Sequence, residues 1–249
     1  MAAGKGTRIG AVDKSKAMFE VAGEPIIEWA IRPFEELKKR GIIDRLITVV
    51  GFFGDQIIDY LGDRSEFVWQ KEQLGTAHAV KCAEKFLAGE EGLTIIVNGD
   101  HPLYSAQTFE KLINTAVEKK LTLGFGVVIS GKRFSSYGRV VKDNQKKMLG
   151  IVEVLEASAE ELKIKERNIN LYIVDNRWLF ETLQKIQPSA VKKELYITEI
   201  VKQAIKEGKR VETVEIENED EALGINTLEE KDEAEGIIRR RVDKNKNVK

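Results

Sequence analysis

Four cations gather in the first sixteen residues beside two closely spaced glycines: Ala2-Ala3-Gly4-Lys5-Gly6-Thr7-Arg8 is followed by Lys14-Ser15-Lys16. Lys5, Arg8, Lys14 and Lys16 against Asp13 leave a local charge of +3 (four cations less one anion) in a chain of formal charge −1. A glycine-rich turn exposes backbone N–H groups to an anion, and flanking cations add charge-assisted hydrogen bonds. The window fits a phosphate site, and taken alone it fits a solvated N-terminal arm equally well.

Asn98-Gly99-Asp100-His101-Pro102-Leu103 directly follows Leu93-Thr94-Ile95-Ile96-Val97, the strongest buried-strand pattern in the chain. Ligands of open α/β sheets gather beyond the carboxyl ends of strands. Asp100 is therefore placed to hold Mg²⁺, a hard cation suited to oxygen ligands; a turn-forming Gly-Asp pair is the plainer account. Gln73-Leu74-Gly75-Thr76-Ala77-His78-Ala79 is a second glycine approach to a helix. Gly75 and Thr76 could offer backbone donors to a base edge or phosphate, with Gln70 as both donor and acceptor, or Thr76 could simply cap the helix. His78 and His101, the only histidines, have no cysteine partner and read as local hydrogen-bonding residues.

The elements that must position these groups alternate. Helices are expected at Pro25 to Lys39 (kinked at Pro33), Asp55 to Leu61, Thr76 to Phe86 and Ala106 to Glu118. Leu46 to Val50, Phe67 to Trp69 and Leu93 to Val97 read as strands, the last apolar enough for a parallel sheet covered on both faces. Strand-like pieces then crowd together at 121–129, 138–141, 149–155 and 170–174, which suggests an antiparallel excursion on the substrate side. Helices at Trp178 to Ile186 and Leu195 to Glu207 flank Pro188, and Val211 to Ile216 alternates as a strand. Thr227 with Glu230 forms a capping box for a helix carrying Ala234, Ile237 and Ile238. Beyond Arg239 a basic, fraying tail is expected.

The chain is long enough, at 249 residues, for a large α/β core. With 40 basic and 41 acidic residues it has no global field for nucleic acid or an anionic membrane. Cys82, the single cysteine, excludes an internal disulfide and multi-cysteine zinc patterns and reads as packing on a helix face. No apolar run reaches membrane-spanning length and no signal peptide is evident, so a cytoplasmic protein is expected. Walker A, Gly-x-Gly-x-x-Gly and Gly-x-Ser-x-Gly patterns are all missing, which counts against hydride transfer and serine hydrolysis.

Taken in order, the motifs resemble the sugar-1-phosphate nucleotidylyltransferases, and most nearly the uridylyltransferase domain of the bifunctional N-acetylglucosamine-1-phosphate uridyltransferase family. The resemblance runs through Ala2 to Arg8 and Lys16, Val21-Ala22-Gly23-Glu24-Pro25, Gln70 with Leu74-Gly75-Thr76-Ala77-His78-Ala79, and Gly99-Asp100-x-Pro102-Leu103. It continues through Tyr137-Gly138-Arg139, Gly150-Ile151-Val152-Glu153, Glu166-x-Asn168, Tyr196-Ile197-Thr198-Glu199 and Gly224-Ile225-Asn226.

The resemblance implies a doubly wound, Rossmann-like nucleotide-binding sheet with a mixed-sheet sugar-binding portion. The corresponding domain would span 1–227, with a sugar-binding excursion at about 121–175, followed by a helix and basic tail at 228–249. It also implies that Ala2, Ala3, Gly4, Gly6 and Thr7 wrap the triphosphate of UTP while Arg8 and Lys16 counter its charge. Gln70, Gly75 and Thr76 would recognise the base, Asp100 and Asn226 would hold Mg²⁺, and Gly138, Glu153, Asn168 and Thr198 would face the sugar 1-phosphate. The implied activity is uridylyl transfer to N-acetylglucosamine 1-phosphate. Alternatives are a glucose-1-phosphate thymidylyl- or uridylyltransferase and an inactive nucleotide-sugar-binding protein. A homo-oligomer is compatible with all three.

Several positions depart from the family pattern. An apolar strand usually precedes the first loop, where this sequence has only Met1. Ser15 replaces a common proline, one extra residue separates Arg8 from Lys16, and Asn98 and His101 replace an aromatic and an aliphatic residue. Ile169-Asn170 stands where Thr-Gly is usual. Hexapeptide repeats of the partner acetyltransferase domain are not present, so no acetyl transfer is expected of this sequence.

Overall fold

The computed structural model describes residues 1–246. A short hairpin of β1 (Glu20–Val21) and β2 (Glu24–Pro25) leads into α1 (Ile26–Lys39), β3 (Ile47–Val50), α2 (Gly54–Leu61) and β4 (Glu66–Trp69). Next come α3 (Thr76–Cys82), α4 (Glu84–Leu87), β5 (Leu93–Val97), α5 (Ala106–Glu118), β6 (Leu123–Ile129), β7 (Arg139–Lys142) and β8 (Met148–Val152). The chain ends with β9 (Glu166–Asp175), α6 (Asn176–Leu183), α7 (Glu199–Lys206), β10 (Val211–Glu215) and α8 (Leu228–Lys246). These elements cluster into two compact units: one of Met1–Lys71, Asn98–Ala106 and the segment from Asn218 onward, the other of Glu72–Val97 and Gln107–Glu217.

In the first unit, Ile26, Ile27, Ile31, Phe34 and Leu37 recur on one side of α1 and are all buried. Pro33 lies inside this helix, which runs through it to Lys39. Ile27 and Ile31 join Ala17, Val50, Ile57 and Leu61 in one apolar cluster, which packs α1 and α2 beside the end of β3. β3 and β4 pair in parallel, with Val50 opposite Trp69. On the other edge of β3, Ala2 bridges Val50 in parallel, and its N–H donates to the Val49 carbonyl at 2.7 Å. Met1 O in turn accepts the Gly99 N–H at 2.7 Å. Met1-Ala2 thus occupies the place where a preceding strand is expected, as one bridge rather than a strand.

The second unit is built on a sheet of order β10-β6-β9-β7-β8, with β5 also paired to β9. β9 is its axis, antiparallel to β5, β6 and β7, while β10 runs parallel to β6. Leu171, Tyr172, Ile173 and Val174 are consequently almost inaccessible, at 0–1% exposure. The parallel setting expected for Leu93 to Val97 is corrected here. β5 pairs antiparallel with β9, Leu93 is exposed, and only Ile96 is fully buried. An unbroken apolar run records burial, not strand direction.

The expected helix from Thr76 to Phe86 divides into α3 and α4, and Cys82, the last residue of α3, is partly exposed. The expected helix from Leu195 begins four residues later, at Glu199, because Leu195 and Ile197 give their N–H groups to Leu74 O and Thr76 Oγ1. α8 continues past Arg239 to Lys246, so this part of the expected tail is helical; residues 247–249 lie outside the described residues. Among the described residues no helix is long and apolar enough to cross a membrane.

Leu171 is the clearest probe of the β9 axis. Leu171→Ala should lower unfolding free energy by about 2–5 kcal/mol, through lost burial and the cavity left behind. Urea denaturation checks this, with an unchanged m-value expected.

Candidate functional site

The first loop is set by backbone bonds before any charge acts. Ala3 is buried beside β3 while Gly4, Thr7 and Arg8 are exposed. The chain turns at Gly6, which has the left-handed φ of 65° and accepts the N–H groups of Ile9 and Ala11. Farther along, Gln56 on α2 clamps the return: its Oε1 accepts the Ser15 N–H at 2.9 Å and its Nε2 donates to Asp13 O at 3.1 Å. That clamp aims Lys16. Its ammonium donates to Asp100 Oδ2 and, at 3.1 Å, to Asn226 Oδ1. Arg8 donates to the same Asn226 oxygen at 2.8 Å.

Asp100 and Asn226, 126 positions apart in sequence, are joined by the chain itself. The Ile225 N–H donates to Asp100 O at 2.8 Å. At the start of α8, Glu230 Oε2 accepts the N–H groups of Asn226 and Thr227, and Thr227 Oγ1 accepts the Glu230 N–H at 3.2 Å. The capping box read from sequence therefore also fixes Asn226. His101 is fully enclosed: it stacks on Tyr104, and a Cβ added to Gly224 would lie 2.6 Å from its Nε2. Burial lowers its pKa, so it is a neutral wall behind Asp100 rather than a charged partner.

The Asp100 side chain is only 16% exposed. Burial alone would raise its pKa, but the charge and hydrogen bond of Lys16 hold it below the usual carboxylate value. Its other oxygen, Oδ1, is buried with no hydrogen-bond partner. A carboxylate with one oxygen on Lys16 and the other orphaned, and an amide oxygen on the same cation, are hard donors of the kind Mg²⁺ takes. Among the described residues there is no cluster of three His, Cys, Asp or Glu side chains that could hold a metal by themselves. Gln70 also belongs to this unit; it is buried at the end of β4, with its N–H on Val50 O at 2.8 Å.

The second unit brings Gly75, Thr76, Gly138, Glu153, Asn168 and Thr198 into two linked groups. Gly75, at φ 118°, lies so close to Leu195 that an added Cβ would meet its backbone oxygen at 2.5 Å. Thr76 does not cap α3; its hydroxyl accepts the Ile197 N–H at 2.9 Å. That bond delivers Thr198, whose hydroxyl donates to Glu153 Oε1 at 3.1 Å. Gly138 O accepts the Asn168 N–H at 3.0 Å, and the Cβ position of Gly138 lies 3.7 Å from Glu153 Oε2. Burial pushes the Glu153 pKa up; Thr198 and Lys192 oppose this, and Glu156 and Glu199 add to it. Sequence reasoning missed Gln56, whose partners Ser15 and Asp13 lie 41 and 43 residues away with no local signal, and the second role of Glu230, whose bond to the Asn226 N–H extends the capping box by one residue.

The fold defines a class first. It is α/β and Rossmann-like, and it matches a crystal structure of a "Putative Glucose-1-Phosphate Thymidylyltransferase" from Bacillus anthracis in complex with a sucrose, with a TM-score of 0.73 over 96% of this chain and 93% of that one. At 20% identity that likeness is one of fold alone. The chain belongs to the nucleotidyl transferase family, whose pattern covers residues 1–221. It is 34% identical over 242 residues to the bifunctional protein GlmU of Streptococcus agalactiae serotype V, covering 97% of this chain and 51% of that protein. It is 35% identical over 243 residues to the bifunctional protein GlmU of Limosilactobacillus reuteri, covering 98% of this chain and 52% of the relative. The chain thus spans about half the length of these curated relatives, and the family expected from the motifs is the one found.

Two variants probe the second unit. In Gly75→Ala the added methyl must push backbone away, so a loss of about 1–3 kcal/mol is expected, with a lowered melting temperature as the readout. For Glu153, a folded-state pKa above its ordinary 4.5 means that the folded form holds the proton longer. Stability then falls as pH rises from that value through the raised one. Glu153→Gln should melt like the parent at low pH and progressively higher than it above that window, in thermal scans across pH.

Proposed function

We propose that the chain is a sugar-1-phosphate nucleotidylyltransferase that transfers the uridylyl group of UTP to N-acetylglucosamine 1-phosphate and releases pyrophosphate. The observation that carries this reading is the Lys16 ammonium held by Asp100 and Asn226, with Arg8 on the same amide oxygen. The GlmU relatives support the choice of sugar and nucleotide. In this reading residues 1–227 form the transferase domain and about 121–175 its sugar-binding excursion.

A phosphate oxygen of the sugar 1-phosphate attacks the α-phosphorus of UTP in line, and pyrophosphate leaves. The attacking oxygen is already ionised near neutral pH, so no protein nucleophile or strong base is needed. Rate enhancement comes from holding two anions in register and neutralising the charge between them. Asp100 and Asn226 would hold Mg²⁺, which when bound would supply part of that neutralisation. Lys16 and Arg8 then turn their donors to the triphosphate, and backbone N–H groups from Ala3 to Thr7 cradle it, the Ala2 N–H being held by Val49 O. On the sugar side, Glu153 accepts hydroxyl protons beside Gly138, Asn168 and Thr198, while Gln70, Gly75 and Thr76 read the base.

Pyrophosphate release with UTP or dTTP, each paired with N-acetylglucosamine 1-phosphate or glucose 1-phosphate, tests the assignment. The first of each pair should be preferred. A rate at least about tenfold higher with glucose 1-phosphate, roughly 1.4 kcal/mol in transition-state selectivity, would hand the assignment to the thymidylyl- or uridylyltransferase alternative. Nucleotide-sugar binding without pyrophosphate release would instead identify a binding protein. Asp100→Asn should lower kcat by about 100-fold or more, some 2.7 kcal/mol of lost transition-state stabilisation, measured well below its melting temperature, which the stranded Lys16 ammonium also lowers.

A further inference from the structure

Asn168 and Asn170 form a relay on β9 whose polarity the backbone dictates. Asn168 Oδ1 accepts the Asn170 N–H at 3.3 Å, which fixes the orientation of the Asn168 amide. Its Nδ2 then faces the protein, and both hydrogens are used: one goes to the Tyr172 hydroxyl at 2.7 Å, the other to Asn170 Oδ1 at 3.1 Å. The Tyr172 hydroxyl donates to that same Asn170 oxygen at 3.4 Å. With its oxygen turned inward by two donors, Asn170 must turn its own NH₂ group outward. Among the described residues this Nδ2 has no protein partner, and Asn170 is half-buried where Asn168 is 1% exposed.

The backbone is bent to allow this. Asn170 has a φ of 56°, a left-handed value uncommon outside glycine and best tolerated by asparagine. It lies at the irregularity in the β6–β9 ladder, where the register steps from Phe125 opposite Tyr172 to Val127 opposite Asn168. Bulges of this kind re-aim a side chain next to functional sites. A neighbouring carboxylate complements it: Gly138, whose O accepts the Asn168 N–H, has its Cβ position 3.7 Å from Glu153 Oε2, and an ionised carboxylate can only accept.

We propose that Asn170, rather than Asn168, gives the amide N–H donor to the sugar 1-phosphate, through Nδ2 to an acceptor oxygen on the sugar: a ring hydroxyl or an N-acyl carbonyl. Asn168 is then a positioning residue that locks the Asn170 amide. The inference rests on the reading that Gly138, Glu153 and Thr198 face the sugar, and moves the donor read for Asn168 to its neighbour.

Steady-state kinetics of Asn170→Gly and Asn170→Asp, with UTP and each of the two sugar 1-phosphates, test it. Glycine takes the left-handed backbone without strain, and aspartate keeps an inward acceptor while replacing the outward donor by a carboxylate. Both variants should raise KM for the sugar 1-phosphate by about 3- to 10-fold or more, the loss of one hydrogen bond, with KM for UTP unchanged. Asn170→Asp, which keeps the inward acceptor, should also keep the melting temperature, whereas Asn170→Gly leaves the Asn168 and Tyr172 donors unpaired and lowers it. A larger loss with N-acetylglucosamine 1-phosphate assigns the acceptor to the acyl carbonyl; equal losses assign it to a ring hydroxyl, and either supports the proposal. An unchanged sugar KM in either variant, or a parallel rise in both KM values, overturns it and leaves Asn170 as a turn former. Should the parent enzyme release no pyrophosphate with any substrate pair, the proposed activity fails separately. Calorimetric titration of the two sugar 1-phosphates into parent and Asn170→Gly then decides: weaker binding by the variant supports the proposal, while equal or undetectable binding overturns it.

Discussion

The ammonium of Lys16 is the constraint on which the first unit depends. It ties together Asp100, 84 residues away, and Asn226, 210 residues away. The Lys16 and Asp100 side chains are each only 16% exposed, so both charges have lost most of their water. A pair so placed adds little net stability over an apolar substitute, but removing one member strands the other in a costly state. Its value is therefore positional: it determines where a carboxylate oxygen, an amide oxygen and a cation stand relative to one another. Arg8 adds a second cation to the amide oxygen from the exposed side of the loop.

Each member of that contact is supported independently, so the arrangement does not rest on the ion pair alone. Gln56 holds the loop before Lys16, and the Glu230 cap holds Asn226. A backbone bond from Ile225 holds Asp100, with His101 pressed against Gly224 behind it. The second unit repeats the strategy without an ion pair. Thr76 catches the Ile197 N–H, Thr198 reaches Glu153, and Gly138 joins Asn168 through the backbone. In both units the side chains of interest are placed by main-chain hydrogen bonds, which flex less than long side chains.

What could be read before the structure was whatever is encoded over a few residues. The spacing of Ile27, Ile31 and Phe34 specified α1, and Thr227 with Glu230 specified the start of α8, because helix periodicity and capping are local. The cation-flanked glycine turn was visible for the same reason. The direction of β5 was not: its partner β9 lies some 78 residues later, and a run such as Leu93 to Val97 is apolar whichever way its neighbour points. Thr76 looked like a cap because capping is the local use of threonine, yet its hydroxyl serves Ile197, 121 residues on. Asn226 came only through resemblance, since an asparagine beside a capping box carries no mark of a partnership with Asp100.

The choice of a neutral amide at position 226 has an electrostatic consequence for the proposed reaction. Asp100, Lys16 and Arg8 sum to one net positive charge around the Asn226 oxygen, counted from the pairs they form. A second carboxylate would bring that sum to zero and make a stronger site for a bare divalent ion, with less attraction left for a polyphosphate. With an amide instead, the protein supplies one charged and one neutral oxygen, too few for an octahedral cation that surrenders its waters reluctantly. In the proposed reaction phosphate oxygens and water would supply the rest, so cation and nucleotide would favour each other's binding, with the Lys16 ammonium compensating Asp100 in their absence.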